Sequence, residues 1–96
     1  MPYENIPLHL NTAKHRFEMN IDGEHGIINY QQSGDVINLV HTEVAEQLEG
    51  KGVASALVEK TLKYLEEHHL KMVPSCSYVQ EYLQRHPDWY RIVADQ

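Results

Sequence analysis

Hydrophobic and polar positions along this chain change period once, near residue 50. Before that point apolar residues tend to alternate with polar ones. After it they recur at helical spacing. Phe17, Met19 and Ile21 alternate within Arg16–Ile21, which predicts a half-buried strand. Asp22-Gly23 is a hairpin turn signal. His25 to Gln32 predicts a second strand carrying Ile27, Ile28 and Tyr30, and Ser33-Gly34-Asp35 the next turn. Val36 to Val44 is the most strand-like run and is expected to be central. The first half is therefore expected to be an antiparallel meander. Residues 1–12, with Pro2 and Pro7, are expected to be an irregular arm.

The second half predicts a helix over residues 51–69. Ala54, Val58, Leu62 and Leu65 form its apolar stripe, widened by Leu57 and Tyr64. Glu59 and Lys63 make an i,i+4 pair in the favourable order on the other side. A short strand follows over 70–76. Pro74 cannot donate to a ladder, so this strand lies at an edge or diverges from its neighbour there. Ser77 and Gln80 have the spacing of a capping box, with Ser77 as N-cap, and the helix they open ends before Pro87. Asp88 to Val93 is an aromatic segment expected to dock on the core. A helical crossover of this length predicts that the strand ending at Cys76 runs parallel to the one ending at Glu43.

Composition narrows the possible partners. With 96 residues the chain is expected to form a single domain over 1–96. Lys+Arg 8 against Asp+Glu 14 gives a net charge of −6, which argues against nucleic acid or an anionic membrane surface. No apolar run approaches the roughly 20 residues that span a bilayer. Nor does the N-terminus read as a secretory signal. Cys76 is the only cysteine, so no internal disulfide is expected, and a reducing, cytoplasmic setting is. The histidines lack zinc spacing, and no metal site is expected. A monomer is expected.

The change of period falls at Gly50-Lys51-Gly52, between strand and helix. Glycine lets backbone N–H groups approach a ligand closely. The first helical turn leaves N–H groups unpaired, and the helix dipole adds positive potential. Such a junction suits a phosphate or pyrophosphate. It lacks the long loop and the Lys-Ser/Thr pair of a P-loop. It also misses the dinucleotide pattern, because Ser55 stands where the third glycine would be.

Gln47-Leu48-Glu49-Gly50-Lys51-Gly52 does match [Gln/Arg]-x-x-Gly-x-[Gly/Ala]. In this it resembles the pyrophosphate loop of the GNAT superfamily of N-acetyltransferases. The resemblance extends over roughly residues 14 to 93. His25-Gly26-Ile27-Ile28-Asn29-Tyr30, Leu39-Val40-His41-Thr42-Glu43-Val44 and the run from Cys76 through Tyr82 and His86-Pro87 to Trp89-Tyr90 are similar to short, single-domain GNAT-like proteins of the bacterial YjdJ type. It implies an α/β (α+β) fold of β-β-β-α-β-α order, with a twisted, mostly antiparallel sheet whose central strands splay around a pantetheine arm. It also implies a minimal member without the helices that bind substrate in larger relatives.

The implied activity is transfer of an acetyl group from acetyl-coenzyme A to an undefined small-molecule or protein amine. The implied coenzyme A contacts are His41, Thr42 and Val44 on the strand, then Gln47, Glu49, Gly50, Lys51, Gly52, Val53 and Ala54, then Cys76, Tyr78 and Tyr82. Lys51 is the cation inside the loop, and Glu46 and Glu49 oppose an anionic ligand. His41 and Glu43 share a strand face and are the candidate bases. His41 ranks first, because histidine exchanges protons near neutrality. Cys76, next to a helix start, is a candidate acyl-accepting nucleophile with His41 as its base. Against that stands ordinary burial of a small apolar residue. Tyr78 or Tyr82 would protonate the leaving thiolate. A coenzyme A or acyl-CoA binding module with little turnover is the alternative. A structural protein that leaves the loop unused is the third.

Overall fold

Alternation in the first half becomes sheet. A computed structural model describes residues 3–94. Strands β1 (His9–Asn11), β2 (Arg16–Ile21), β3 (Glu24–Ser33) and β4 (Val36–Val44) pair antiparallel in sequence order. The β2–β3 turn has Asp22 and Gly23 at φ 53° and 82°, the two positive φ values of a type I′ hairpin. Helix α1 (Val53–Glu67) then crosses to β5 (Lys71–Pro74), which lies parallel to β4 at the sheet edge, as expected. Helix α2 (Ser77–Arg85) and a 3-10 turn (Pro87–Ile92) complete the α+β fold. Val93 bridges to Met72 and Ala94 N–H bonds Met72 O at 2.8 Å, so the C-terminal segment does dock.

Both helices pack on one face of the sheet. Phe17, Met19, Ile28, Leu39 and Ile37 meet Leu57, Val58, Leu62 and Leu65 of α1 and Val79, Tyr82 and Leu83 of α2 in one cluster. Gly26 permits the close approach of α1. A β-carbon there would stand 3.3 Å from Leu57 Cδ2 and 3.4 Å from Val44 Cγ2. Gly26→Val is therefore expected to destabilise the fold by about 1–3 kcal/mol, the usual cost of overpacking. A lower urea midpoint at unchanged slope would show it.

Four expectations need correction. Residues 1–12 are not wholly irregular: β1 pairs with β2, with Leu10 opposite Phe17. Residues 1 and 2 of that arm lie outside the described residues. Helix α1 is shorter than 51–69 at both ends. Gly52 is left-handed (φ 78°) and starts it, and His69 (φ 57°) stops it. There Leu70 N–H bonds Leu65 O and His69 N–H bonds Glu66 O, a Schellman cap built on histidine. The buried face of α1 runs through Val53, Ala56 and Leu57, while Ala54 is only half-buried. Finally, Ser77 does not cap α2. Cys76 is the N-cap, because its N–H is held extended on Leu39 O at 2.9 Å, and Gln80 Nε2 donates to Pro74 O instead.

Candidate active site

Strands β4 and β5 pair only from Val36↔Lys71 to Leu39↔Pro74. Beyond Leu39 the ladder stops, and the two part. At the same place the β3–β4 register shifts, from Tyr30↔Leu39 to Asn29↔His41, leaving Val40 as an extra residue. This bulge reverses the alternation of β4. Cross-strand partners share a face. Thr42 lies opposite buried Ile28, and Val44 opposite Gly26, so both face the helices. His41, opposite Asn29, and Glu43, opposite Ile27, are exposed on the other face.

On the helix face a groove of about 360 Å³ is lined by Thr42, Val44, Leu48, Glu49, Gly50, Gly52, Val53, Ala54 and Tyr78. Its walls come from β4, the glycine loop, the start of α1 and the first turn of α2. Eight of the expected contacts are thereby brought together: Thr42, Val44, Glu49, Gly50, Gly52, Val53, Ala54 and Tyr78. His41, Gln47, Lys51, Cys76 and Tyr82 do not line it. Leu48 does, and sequence reasoning missed it. Its signal was a lone apolar residue within Glu46-Gln47-Leu48-Glu49, and it is 5% exposed.

The loop supplies donors. A 3-10 turn at Glu46–Leu48 uses the N–H of Glu49, bonded to Glu46 O, and that of Lys51, bonded to Leu48 O. Those two were expected to be pyrophosphate donors and are already engaged. Among the described residues the N–H groups of Gly50 and Gly52 have no acceptor. Those of Val53, Ala54 and Ser55 lie in the first turn of α1, where no intrahelical acceptor exists. The groove therefore presents several unpaired N–H groups where the α1 dipole is positive. Its walls at Val44, Leu48, Val53 and Ala54 are apolar. These features fit a long apolar arm that ends in an anion.

The two tyrosines separate by role. Tyr78 lines the groove half-buried, and burial raises its phenol above the ordinary range. Tyr82 is buried against His86, with ring centroids 4.3 Å apart, and burial pushes its phenol up to about 12. Both phenols stay protonated at neutral pH, but only Tyr78 can offer its proton to the groove. Cys76 is buried, and its sulfur lies 3.3 Å from the Thr42 hydroxyl. Its side-chain neighbour is thus Thr42, not His41. Among the described residues no His, Cys, Asp and Glu cluster could hold a metal.

The sequence pattern of the GCN5-related N-acetyl-transferases matches residues 16–93. The chain belongs to that family. Protein NATD1 of Gallus gallus is 30% identical over 85 residues, covering 85% of this chain and 77% of its own length. Protein NATD1 of Homo sapiens is 30% identical over 80 residues, covering 80% and 71%. The solution structure of a GCN5-like protein from Staphylococcus aureus superposes with a TM-score of 0.68 at 22% identity, covering 97% of this chain and 92% of that one. That likeness bears on the fold.

Proposed function

We propose that this chain is an acetyl-coenzyme A-dependent N-acetyltransferase that acetylates an amine by direct transfer. The observation that carries this reading is the groove at the parting of β4 and β5, which ends in the unpaired N–H groups of Gly50 and Gly52. Acetyl-coenzyme A would supply the activated acyl group as a thioester. The loop N–H groups bind its pyrophosphate. Val44, Leu48, Val53 and Ala54 pack the pantetheine arm and exclude water. Tyr78 donates its phenolic proton to the departing thiolate, and His41, on the open face, accepts the proton that the amine loses. The acceptor is a small molecule or an exposed protein amine.

A second reading has its own support. No helix covers the sheet face that carries His41 and Glu43 among the described residues, and the cavity of about 250 Å³ lined by His25, Glu43, Val44, Ala45 and Glu46 does not take in His41, so no helix-walled acceptor site joins the two. A coenzyme A carrier with little turnover would need none. Calorimetry with coenzyme A, followed by thiol release from acetyl-coenzyme A across a panel of amines, separates the two. Binding with amine-dependent thiol release supports the transferase. Binding without release supports the carrier. No binding at millimolar coenzyme A removes both.

A further inference from the structure

The N-terminal arm makes a polar contact with the glycine loop. The Tyr3 hydroxyl donates to Lys51 O at 2.8 Å, across 48 residues of sequence. The arm is anchored at this contact and in the residues that follow it. Ile6 N–H bonds Tyr3 O at 3.1 Å, and Tyr3, Ile6 and Leu8 pack against the core. Tyr3 is therefore placed by the fold.

Lys51 O and Gly52 N–H belong to one planar trans peptide and point in opposite directions. Gly50 and Gly52 line the groove, whereas Lys51 does not. A carbonyl held by the arm outside the groove aims the Gly52 N–H away from the arm, toward the groove. The loop does not hold that orientation by itself. Gly50 and Gly52 are both left-handed, at φ 76° and 78°, and a β-carbon at either would meet nothing within 4 Å. With no β-carbon at Gly52, that side of the peptide between Lys51 and Gly52 sets no steric bar to its rotation. Turned over, it would present a carbonyl oxygen to the anion in place of a donor.

We propose that Tyr3 is a positioning residue for the cofactor: its hydroxyl locks the Lys51–Gly52 peptide with the Gly52 N–H toward the pyrophosphate. This rests on the coenzyme A reading of the groove. The test uses the full chain and Tyr3→Phe, which keeps the packed ring and removes only the hydroxyl. Coenzyme A binding is measured by calorimetry. Binding of S-acetylpantetheine, which has the arm but no pyrophosphate, is followed by amide NMR shifts at millimolar concentration. Tyr3→Phe is expected to weaken coenzyme A about three- to tenfold, the range of one hydrogen bond. S-acetylpantetheine should bind both proteins equally. Equal weakening of both ligands would mean a general structural role and overturn the assignment. Equal coenzyme A affinity in the two proteins would overturn it and leave the groove reading standing. If the parent protein binds no coenzyme A, the groove reading itself falls, and this inference with it.

Discussion

Gly52→Val is expected to weaken coenzyme A binding at least tenfold, about 1.4 kcal/mol. Two effects combine. Gly52 starts α1 at φ 78°, where an L side chain costs about 1–2 kcal/mol and a β-branched one is worst placed. The backbone would relieve that strain by turning, which moves the Gly52 and Val53 N–H groups. Any side chain that remained would stand at the mouth of the groove, which Gly52 lines. Strain alone can be separated from the loss of donors. Gly23 has φ 82° in the β2–β3 turn, and a β-carbon there also meets nothing within 4 Å. Gly23→Val should lose comparable stability in urea, yet bind coenzyme A like the parent. Equal affinity in folded Gly52→Val and Gly23→Val would remove the loop from the site.

The parts of the fold that were legible in the sequence are those set by local chemistry. Asp22-Gly23 dictates its turn because both positions need positive φ, and few residue pairs tolerate that. The long apolar period dictates α1. Gly50 and Gly52 mark the loop because the chain is left-handed at both. What was not legible depends on contacts distant in sequence. His9-Leu10-Asn11 is too short to read as a strand, and it becomes one by pairing with β2. Ser77 has the local features of an N-cap, but the bond from Cys76 N–H to Leu39 O keeps Cys76 extended and moves the cap back by one residue.

The β4 bulge matters most for the site. Nothing in Leu39-Val40-His41-Thr42 marks Val40 as the extra residue. Without the shift, Leu39, His41 and Glu43 would share a face, and both candidate bases would turn to the helix face that holds the groove. With it, Thr42 and Val44 take that face, and the bases turn to the other. The residue types near the site were readable. Which side of the sheet each one serves was a property of the register between β3 and β4.

That division shapes the last expectation, which concerns His41 and Cys76. His41 is the first β4 residue past the bulge, and β4–β5 pairing has already ended at Leu39. It therefore stands on the open face where the strands part. The groove lies on the helix face. An amine arriving from the open side would meet His41 before the parted strands. His41→Ala is expected to lower kcat by on the order of a hundredfold or more, the range of a lost general base. Coenzyme A affinity should hold, because His41 does not line the groove. Cys76→Ala should behave differently. A thiol activated by a base needs that base within hydrogen-bond reach. The polar side-chain neighbour of the Cys76 sulfur is the Thr42 hydroxyl, which is not one. Cys76→Ala is thus expected to cost about 1 kcal/mol of stability, typical of a point substitution, and to turn over close to the parent rate. Mass spectrometry after mixing with acetyl-coenzyme A should find no acetyl group on the Cys76 peptide. An acetylated Cys76, together with loss of turnover in Cys76→Ala, would reverse the assignment. The acyl group would then pass through the buried thiol, and His41 would act only on the amine.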